Sequence, residues 1–130
     1  MIKKFDQIVK LTDSIQLGGD RLVLFAGPCA AESYDLCLEV GQKMKELCAS
    51  LDIDYVFKAS FDKANRTSAT SYRGSGMDMG REVLSMVKDK LHIPLVTDIH
   101  ESYQAKEVAE VVDVLQIPAL LCRLTDLLVA

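Results

Sequence analysis

The chain has 130 residues, 49% of them hydrophobic and 26% charged, a balance typical of a globular domain rather than of a disordered segment. Its net charge of −4 argues against a general binder of nucleic acid or of anionic membranes, while leaving room for a local basic pocket. No transmembrane run and no signal peptide is visible in the sequence. Its four cysteines lack CxxC spacing, so we expect a cytoplasmic protein.

Residues 1–20 form a lead-in before the first apolar run. Gly18, Gly19 and Asp20 mark a turn, which is compatible with a small N-terminal hairpin. We expect residues 21–130 to form a single α/β unit, so the chain divides into a lead-in and one fold.

In this unit, short apolar runs alternate with segments of helical periodicity. The runs, each predicted as a strand, are residues 22–26, 55–57, 93–97 and 112–117. Strands that are apolar on both faces and alternate with helices predict a parallel sheet.

The first predicted helix has the clearest pattern. Ser33 is placed to cap it, and Asp35 lies in its first turn, where both residue types stabilise a helix. Apolar residues then recur every three or four positions, which predicts that they share one helix face: Leu36, Val40, Met44, Leu47 and Leu51.

Two architectures fit this order of elements. One is a doubly wound sheet, and the other is a (β/α)8 barrel, which needs about 250 residues. Four strand–helix units would make about half of such a barrel. The apolar residues 127–130 lack a cap and a polar tail, so we expect the chain to be cut there rather than to end naturally.

In both architectures, ligands bind at the carboxyl ends of the strands. The second strand is followed by three cations, Lys58, Lys63 and Arg66. A lysine supplies a point charge and an arginine a bidentate fork, so this loop is suited to hold a phosphate and a carboxylate. The alternative is a solvated basic loop. The sequence contains neither a Walker A motif nor GxGxxG.

Asp98 and His100 follow the third predicted strand, two residues apart. A metal site is one interpretation, but hydrogen bonding and helix capping are favoured. His92 precedes a strand and is expected to be structural.

Cys29 follows Gly27 at the end of the first strand, where backbone can approach a ligand closely. The alternative is a packed thiol. Cys37 and Cys48 fall in the first helix and are expected to pack in the core.

Several ordered blocks resemble the 3-deoxy-D-manno-octulosonate 8-phosphate synthases, also named 2-dehydro-3-deoxyphosphooctonate aldolases. The resemblance runs from about residue 20 to the last residue. The blocks are AGPC at 26–29, FKASFDKANRTS at 57–68, YRG at 72–74, TDIHE at 97–101, DVLQIPA at 113–119 and CRLTDLL at 122–128. The block KASFDKANR separates this family from the related synthases of the aromatic pathway.

The resemblance implies a (β/α)8 barrel enzyme, usually tetrameric, of which this chain would be the N-terminal half with about the first four βα units. The implied reaction is an aldol-type transfer for lipopolysaccharide synthesis. Phosphoenolpyruvate, D-arabinose 5-phosphate and water would give 3-deoxy-D-manno-octulosonate 8-phosphate and phosphate. Two alternatives stay open: a non-catalytic truncated fragment, and a sister synthase that uses another aldose phosphate.

The same resemblance implies roles for individual residues. Lys58 and Lys63 would face phosphoenolpyruvate and act electrostatically rather than as Schiff-base nucleophiles, and Asp98 would be the third catalytic residue. Substrate-binding residues would be Ser60, Asn65, Arg66, Thr67, Gln116 and Arg123.

Metal use also follows from the resemblance. Members with a cysteine after Gly-Pro form the metal-dependent group, so Cys29 is expected to ligate a divalent ion. The other ligands of the family lie in the second half of the barrel. Leu124 stands where the family usually has glutamine, beside the expected substrate contact Arg123.

Overall fold

A computed structural model describes residues 7–130, so the first six residues of the predicted lead-in lie outside the described residues. The rest of the lead-in contains an antiparallel pair, β1 (Val9–Lys10) and β2 (Gln16–Leu17). The turn between these strands lies at residues 11–15, where the Thr12 hydroxyl accepts a 3.1 Å hydrogen bond from the backbone N–H of Ile15. The predicted turn at residues 18–20 instead follows β2. Gly18 follows β2 and has a φ of 83°, which redirects the chain toward the main sheet.

The main sheet has four parallel strands in sequence order. Each predicted apolar run overlaps one of them, so the predicted parallel sheet is confirmed. The strands are β3 (Val23–Ala26), β4 (Asp54–Lys58), β5 (Leu95–Asp98) and β6 (Val114–Gln116).

Helices connect these strands and follow the last one. They are α1 (Tyr34–Ser50), α2 (Met77–Leu91), α3 (Ser102–Ala109) and α4 (Thr125–Val129), with a 3₁₀ turn at Ala119–Leu121 before α4. Within residues 7–130, no helix is long and apolar enough to cross a membrane.

The two faces of the sheet pack differently. The larger core joins residues of all four helices to one face, including Tyr55, Phe57 and Leu95. On the other face Val56 and Val96 form a smaller cluster, which Ile15 of the hairpin covers. A doubly wound sheet would have helices on both faces. Sequential strands with their helices on one face are the winding of a (β/α)8 barrel, so this α/β architecture is confirmed for the part that the chain covers.

Helix α1 begins as predicted. Ser33 has extended backbone angles, and its hydroxyl accepts a 3.3 Å hydrogen bond from the N–H of Leu36. This bond satisfies one of the amides that the first turn leaves without an intrahelical partner.

The predicted apolar face of α1 is not its buried face. Leu36, Leu47 and Leu51 are 37%, 50% and 59% exposed. The buried residues of the helix are Cys37, Gly41 and Cys48, as expected for the two cysteines. A Cβ on residue 41 would lie 2.7 Å from Leu91 Cδ1, so α1 meets its neighbours through small residues, which a hydrophobicity pattern does not select.

Candidate active site

A cavity of about 230 Å³ lies at the carboxyl end of the main sheet. Lys58, Asp98 and Gln116 are the last residues of β4, β5 and β6, and all three line it. Side chains alternate between the two faces of a strand. Two positions before each of these residues stands a valine of the smaller cluster on the other face of the sheet: Val56, Val96 or Val114. The strands therefore direct one polar side chain each toward the same space.

The loop after β4 supplies the rest of the polar lining. Ser60, Lys63 and Asn65 line the same cavity. Ser60 is only 1% exposed, and its backbone forms an isolated parallel bridge with Ala30. The loop therefore begins as a short continuation of the sheet, which places Ser60 and Lys63 above the strand ends.

An ion pair holds this loop in place. Arg73 donates from Nε to Asp62 Oδ1 at 2.9 Å and from Nη2 to Oδ2 at 2.6 Å, and that carboxylate raises the pKa of Arg73. The carbonyl of Arg73 accepts a hydrogen bond from the N–H of Lys63. Next to it, Gly74 has a φ of 135°, and a Cβ there would lie 2.2 Å from the carbonyl oxygen of Phe61. The YRG block therefore positions Lys63 without itself lining the cavity.

Asp98 is at the centre of a buried hydrogen-bonded network. Ser60 Oγ donates to Asp98 Oδ1, and Lys63 Nζ donates to Ser60 Oγ at 2.8 Å. His100 Nε2 lies 2.9 Å from Asp98 Oδ2. The side chains of Asp98 and His100 are 9% and 8% exposed. The network holds Lys63 in place through side chains that are almost fully buried.

The electrostatics of the cavity favour an anion. Within residues 7–130, neither Lys58 nor Lys63 has a carboxylate within ion-pair distance. Two ammonium groups therefore face the cavity, and the one carboxylate in its lining, Asp98, is occupied by Ser60 and His100. Such fixed charge stabilises a ligand with two anionic groups.

Four of the residues that the sequence selected lie away from this cavity. Arg66, Thr67 and Arg123 are exposed, and Arg66 Nε donates to the carbonyl of Tyr72 at 3.2 Å. Cys29 is also exposed and adjoins the site only through its backbone, where its carbonyl accepts from the N–H of Ser60 at 3.4 Å. The structure thus brings together Lys58, Ser60, Lys63, Asn65, Asp98 and Gln116.

A metal ion would need more ligands than these residues provide. Among residues 7–130, no three His, Cys, Asp or Glu side chains come together as a ligand set. The Asp98–His100 pair instead forms the favoured hydrogen bond, and Glu101 forms a capping box with Gln104 at the start of α3. The described residues alone therefore do not complete a metal centre.

The other residues that line the cavity are Ala64, His100, Pro118 and Leu120. None of them was a predicted catalytic or substrate-binding residue, although His100 was considered with Asp98 as a metal-site or hydrogen-bonding residue. The two-residue spacing between Asp98 and His100 was the available signal for the histidine. Pro118 and Leu120 carry no chemical signal, because they line the cavity only through the path of the chain after β6.

The sequence of the chain is similar to those of known proteins. The model of the DAHP synthetase I family matches residues 6–130. The chain is 54% identical over 122 residues to the 2-dehydro-3-deoxyphosphooctonate aldolase of Fusobacterium nucleatum, with 94% of this chain and 44% of that protein covered. It is 53% identical over 123 residues to the protein of the same name from Cyanothece sp., covering 94% and 45%. The Helicobacter hepaticus protein of that name is 56% identical over 108 residues, covering 83% and 40%. The chain spans less than half the length of these relatives.

Proposed function

Because this chain belongs to the DAHP synthetase I family, we propose that it forms one side of the active site of a 3-deoxy-D-manno-octulosonate 8-phosphate synthase. The proposed reaction condenses phosphoenolpyruvate with D-arabinose 5-phosphate and water, in a cytoplasmic homotetramer that serves lipopolysaccharide synthesis. The names of the relatives support this reaction. The observation that carries it is the pair Lys58 and Lys63, which face one cavity without a carboxylate partner among residues 7–130.

The chemistry needs this charge. Phosphoenolpyruvate carries a phosphate and a carboxylate, and fixed ammonium groups neutralise both as they bind. Its C3 forms the new bond to the aldehyde carbon of the sugar, whose oxygen takes up a proton. Water adds its oxygen to C2 and gives up both protons, one balancing the proton gained by the sugar oxygen and one balancing the proton on the released phosphate. As the bond from C2 to the phosphate oxygen breaks, the oxygen from water becomes the keto group of the product. The lysines form no covalent bond to the substrate and act as electrostatic partners.

The remaining polar side chains are suited to the sugar. Asn65 and Gln116 present amide groups to the cavity, and an amide can both donate to and accept from hydroxyl groups. Arg66 and Thr67 are exposed in the loop that follows Asn65, and we assign them to the phosphate of the sugar. Arg123, also exposed, is assigned to the same pocket by its motif.

Cys29 is proposed as one ligand of a divalent ion. The exposure of the residue and its position after β3 support the assignment. The ion would need further ligands from the assembled protein, because residues 7–130 supply no complete set. The four cysteines are free, which supports a reducing compartment.

The test is phosphate release by the purified full-length gene product, whose length is first established by intact mass. Phosphoenolpyruvate is supplied with arabinose 5-phosphate, ribose 5-phosphate or erythrose 4-phosphate in separate reactions. We expect release to be fastest with arabinose 5-phosphate. Preference for another aldose phosphate would identify a sister synthase, and no release with any of them would identify a non-catalytic protein.

A further inference from the structure

His100 has an unusual environment for a histidine without an assigned role. Its side chain is 8% exposed, and it lines the cavity. Its ring meets Phe61 edge to face, with centroids 6.0 Å apart. Nε2 is bonded to Asp98, whereas the buried Nδ1 has no partner within residues 7–130. A buried polar atom without a partner requires an explanation.

The direction of each hydrogen bond follows from the groups involved. An ammonium can only donate, so Lys63 uses a lone pair of the Ser60 hydroxyl, and the single proton of that hydroxyl points to Asp98. An ionised carboxylate can only accept, so His100 donates from Nε2–H. In the neutral ring, this donor at Nε2 leaves Nδ1 as a bare acceptor.

The backbone holds His100 independently of any ligand. Its N–H donates to Gln104 Oε1 at 2.8 Å, and the N–H of Glu101 donates to the same oxygen at 3.2 Å. The preceding residue, Ile99, donates its N–H to the carbonyl of Gln116 at 3.0 Å. Hydrogen bonds therefore hold the backbone of His100 to the start of α3 and that of Ile99 to β6. The ring of His100 is thus in position before a substrate binds.

We propose that His100 is a positioning residue that keeps Asp98 from neutralising Lys63. The Nε2–H donor holds Asp98 Oδ2, which leaves Oδ1 for Ser60 and leaves the ammonium of Lys63 free for an anion. Without that donor, the buried carboxylate would satisfy itself by turning to the ammonium only one hydroxyl away. This inference rests on the proposed function, since it assigns Lys63 to phosphoenolpyruvate.

Two substitutions of His100 distinguish the roles of its two ring nitrogens. The amide nitrogen of glutamine can take the place of Nε2, whereas that of asparagine takes the place of Nδ1. We expect His100→Gln to keep kcat/KM for phosphoenolpyruvate within about fivefold of wild type, and His100→Asn to lose about 10- to 100-fold, the range for a lost hydrogen bond to a charged group. The loss should come mainly from a higher KM for phosphoenolpyruvate. His92→Asn is the matched control, because His92 has a φ of 51°, which asparagine tolerates.

Each other result would overturn the proposal. Activity in His100→Asn but not in His100→Gln would mean that Nδ1 contacts the substrate directly. An equal loss of kcat/KM in both variants would mean that the ring acts only by packing. Activity equal to wild type in both variants would mean that His100 has no role in positioning. If wild type itself releases no phosphate, the proposed function fails, and the positioning is then tested by binding of inorganic phosphate to the same variants, with the same expected order.

One measurement needs no variant. The ¹⁵N chemical shifts of the histidine ring in the full-length protein report which nitrogen carries the proton. We expect the Nε2–H form of His100, and a ring protonated only at Nδ1 would overturn the proposal even if His100→Asn fails to fold.

Discussion

Removing the charge of Lys63 should weaken catalysis far more than it weakens the fold. Lys63→Met removes the ammonium and keeps much of the length of the side chain. In the structure this ammonium donates to Ser60 Oγ at 2.8 Å and makes no ion pair within residues 7–130. Methionine therefore leaves no buried carboxylate without its partner, and we expect the free energy of unfolding to change by at most about 1.5 kcal/mol.

The effect on the substrate follows from Coulomb's law. Two unit charges about 4 Å apart interact by about 4 kcal/mol at an effective dielectric constant of about 20. The cavity is open to water, so about half of that value is a reasonable lower estimate. A loss of about 2 to 4 kcal/mol corresponds to a fall of about 30- to 1,000-fold in kcat/KM for phosphoenolpyruvate.

The assay is phosphate release from phosphoenolpyruvate and arabinose 5-phosphate by the full-length protein. The matched control is Lys106→Met, which removes an exposed ammonium on α3, away from the cavity, and should leave turnover unchanged. Circular dichroism establishes that both variants are folded. A folded Lys63→Met variant within threefold of wild type would refute the electrostatic role of Lys63.

Three further predictions concern Cys29, Cys37 and the glycine that follows β3. A chelator should abolish turnover of the full-length enzyme, and a divalent ion should restore it. The Cys29→Asn variant should turn over without metal. Resistance of the wild-type enzyme to the chelator would contradict a ligand role for Cys29. Burial, with a smaller contribution from a nearby glutamate, raises the pKa of Cys37 to about 11 from 9.0. Above pH 9 the unfolded thiol loses its proton while the folded one keeps it, so urea titrations should show the free energy of unfolding falling between pH 9 and about pH 11. Cys37→Ala should make this slope shallower, with the remainder due to Cys48 and Tyr55, whose pKa values burial also raises, and an equal slope in that variant would refute the assignment. Gly27→Ala should cost more than about 3 kcal/mol in the same titration, because a Cβ would lie 2.0 Å from the carbonyl oxygen of Lys58; a cost below about 1 kcal/mol would show that the loop after β3 moves aside.

The parallel sheet and half of the candidate site were predictable, for one physical reason. Strand position fixes which side chains meet, so Lys58, Asp98 and Gln116 could be assigned to one sheet edge from the positions of their apolar runs. Ser33 could be recognised as a cap because its hydrogen bond is local. Interactions of this kind depend on a few neighbouring residues or on the regular repeat of a strand.

Other features depend on contacts between distant segments, and the sequence pattern does not contain them. The buried face of α1 is set by the contact of Gly41 with Leu91 and Phe57, and glycine contributes nothing to an apolar periodicity. The environment of His100 arises from its hydrogen bond to Asp98 and its contact with Phe61. Whether a histidine beside a carboxylate binds metal or holds that carboxylate is decided by such contacts.

The cavity lies at the ends of three strands that helices separate in the chain, so it forms only when the sheet has formed. Lys58 and Gln116 reach the same space only after β4, β5 and β6 have paired in order. The pocket therefore depends on long-range pairings, which form slowly because the intervening segments must first be closed into loops. An anion that binds there recognises only the completed sheet. At about 100 times its dissociation constant it would add about 2.7 kcal/mol to the stability of the folded state. Hydrogen exchange should detect that gain along all three strands rather than in the loop after β4 alone.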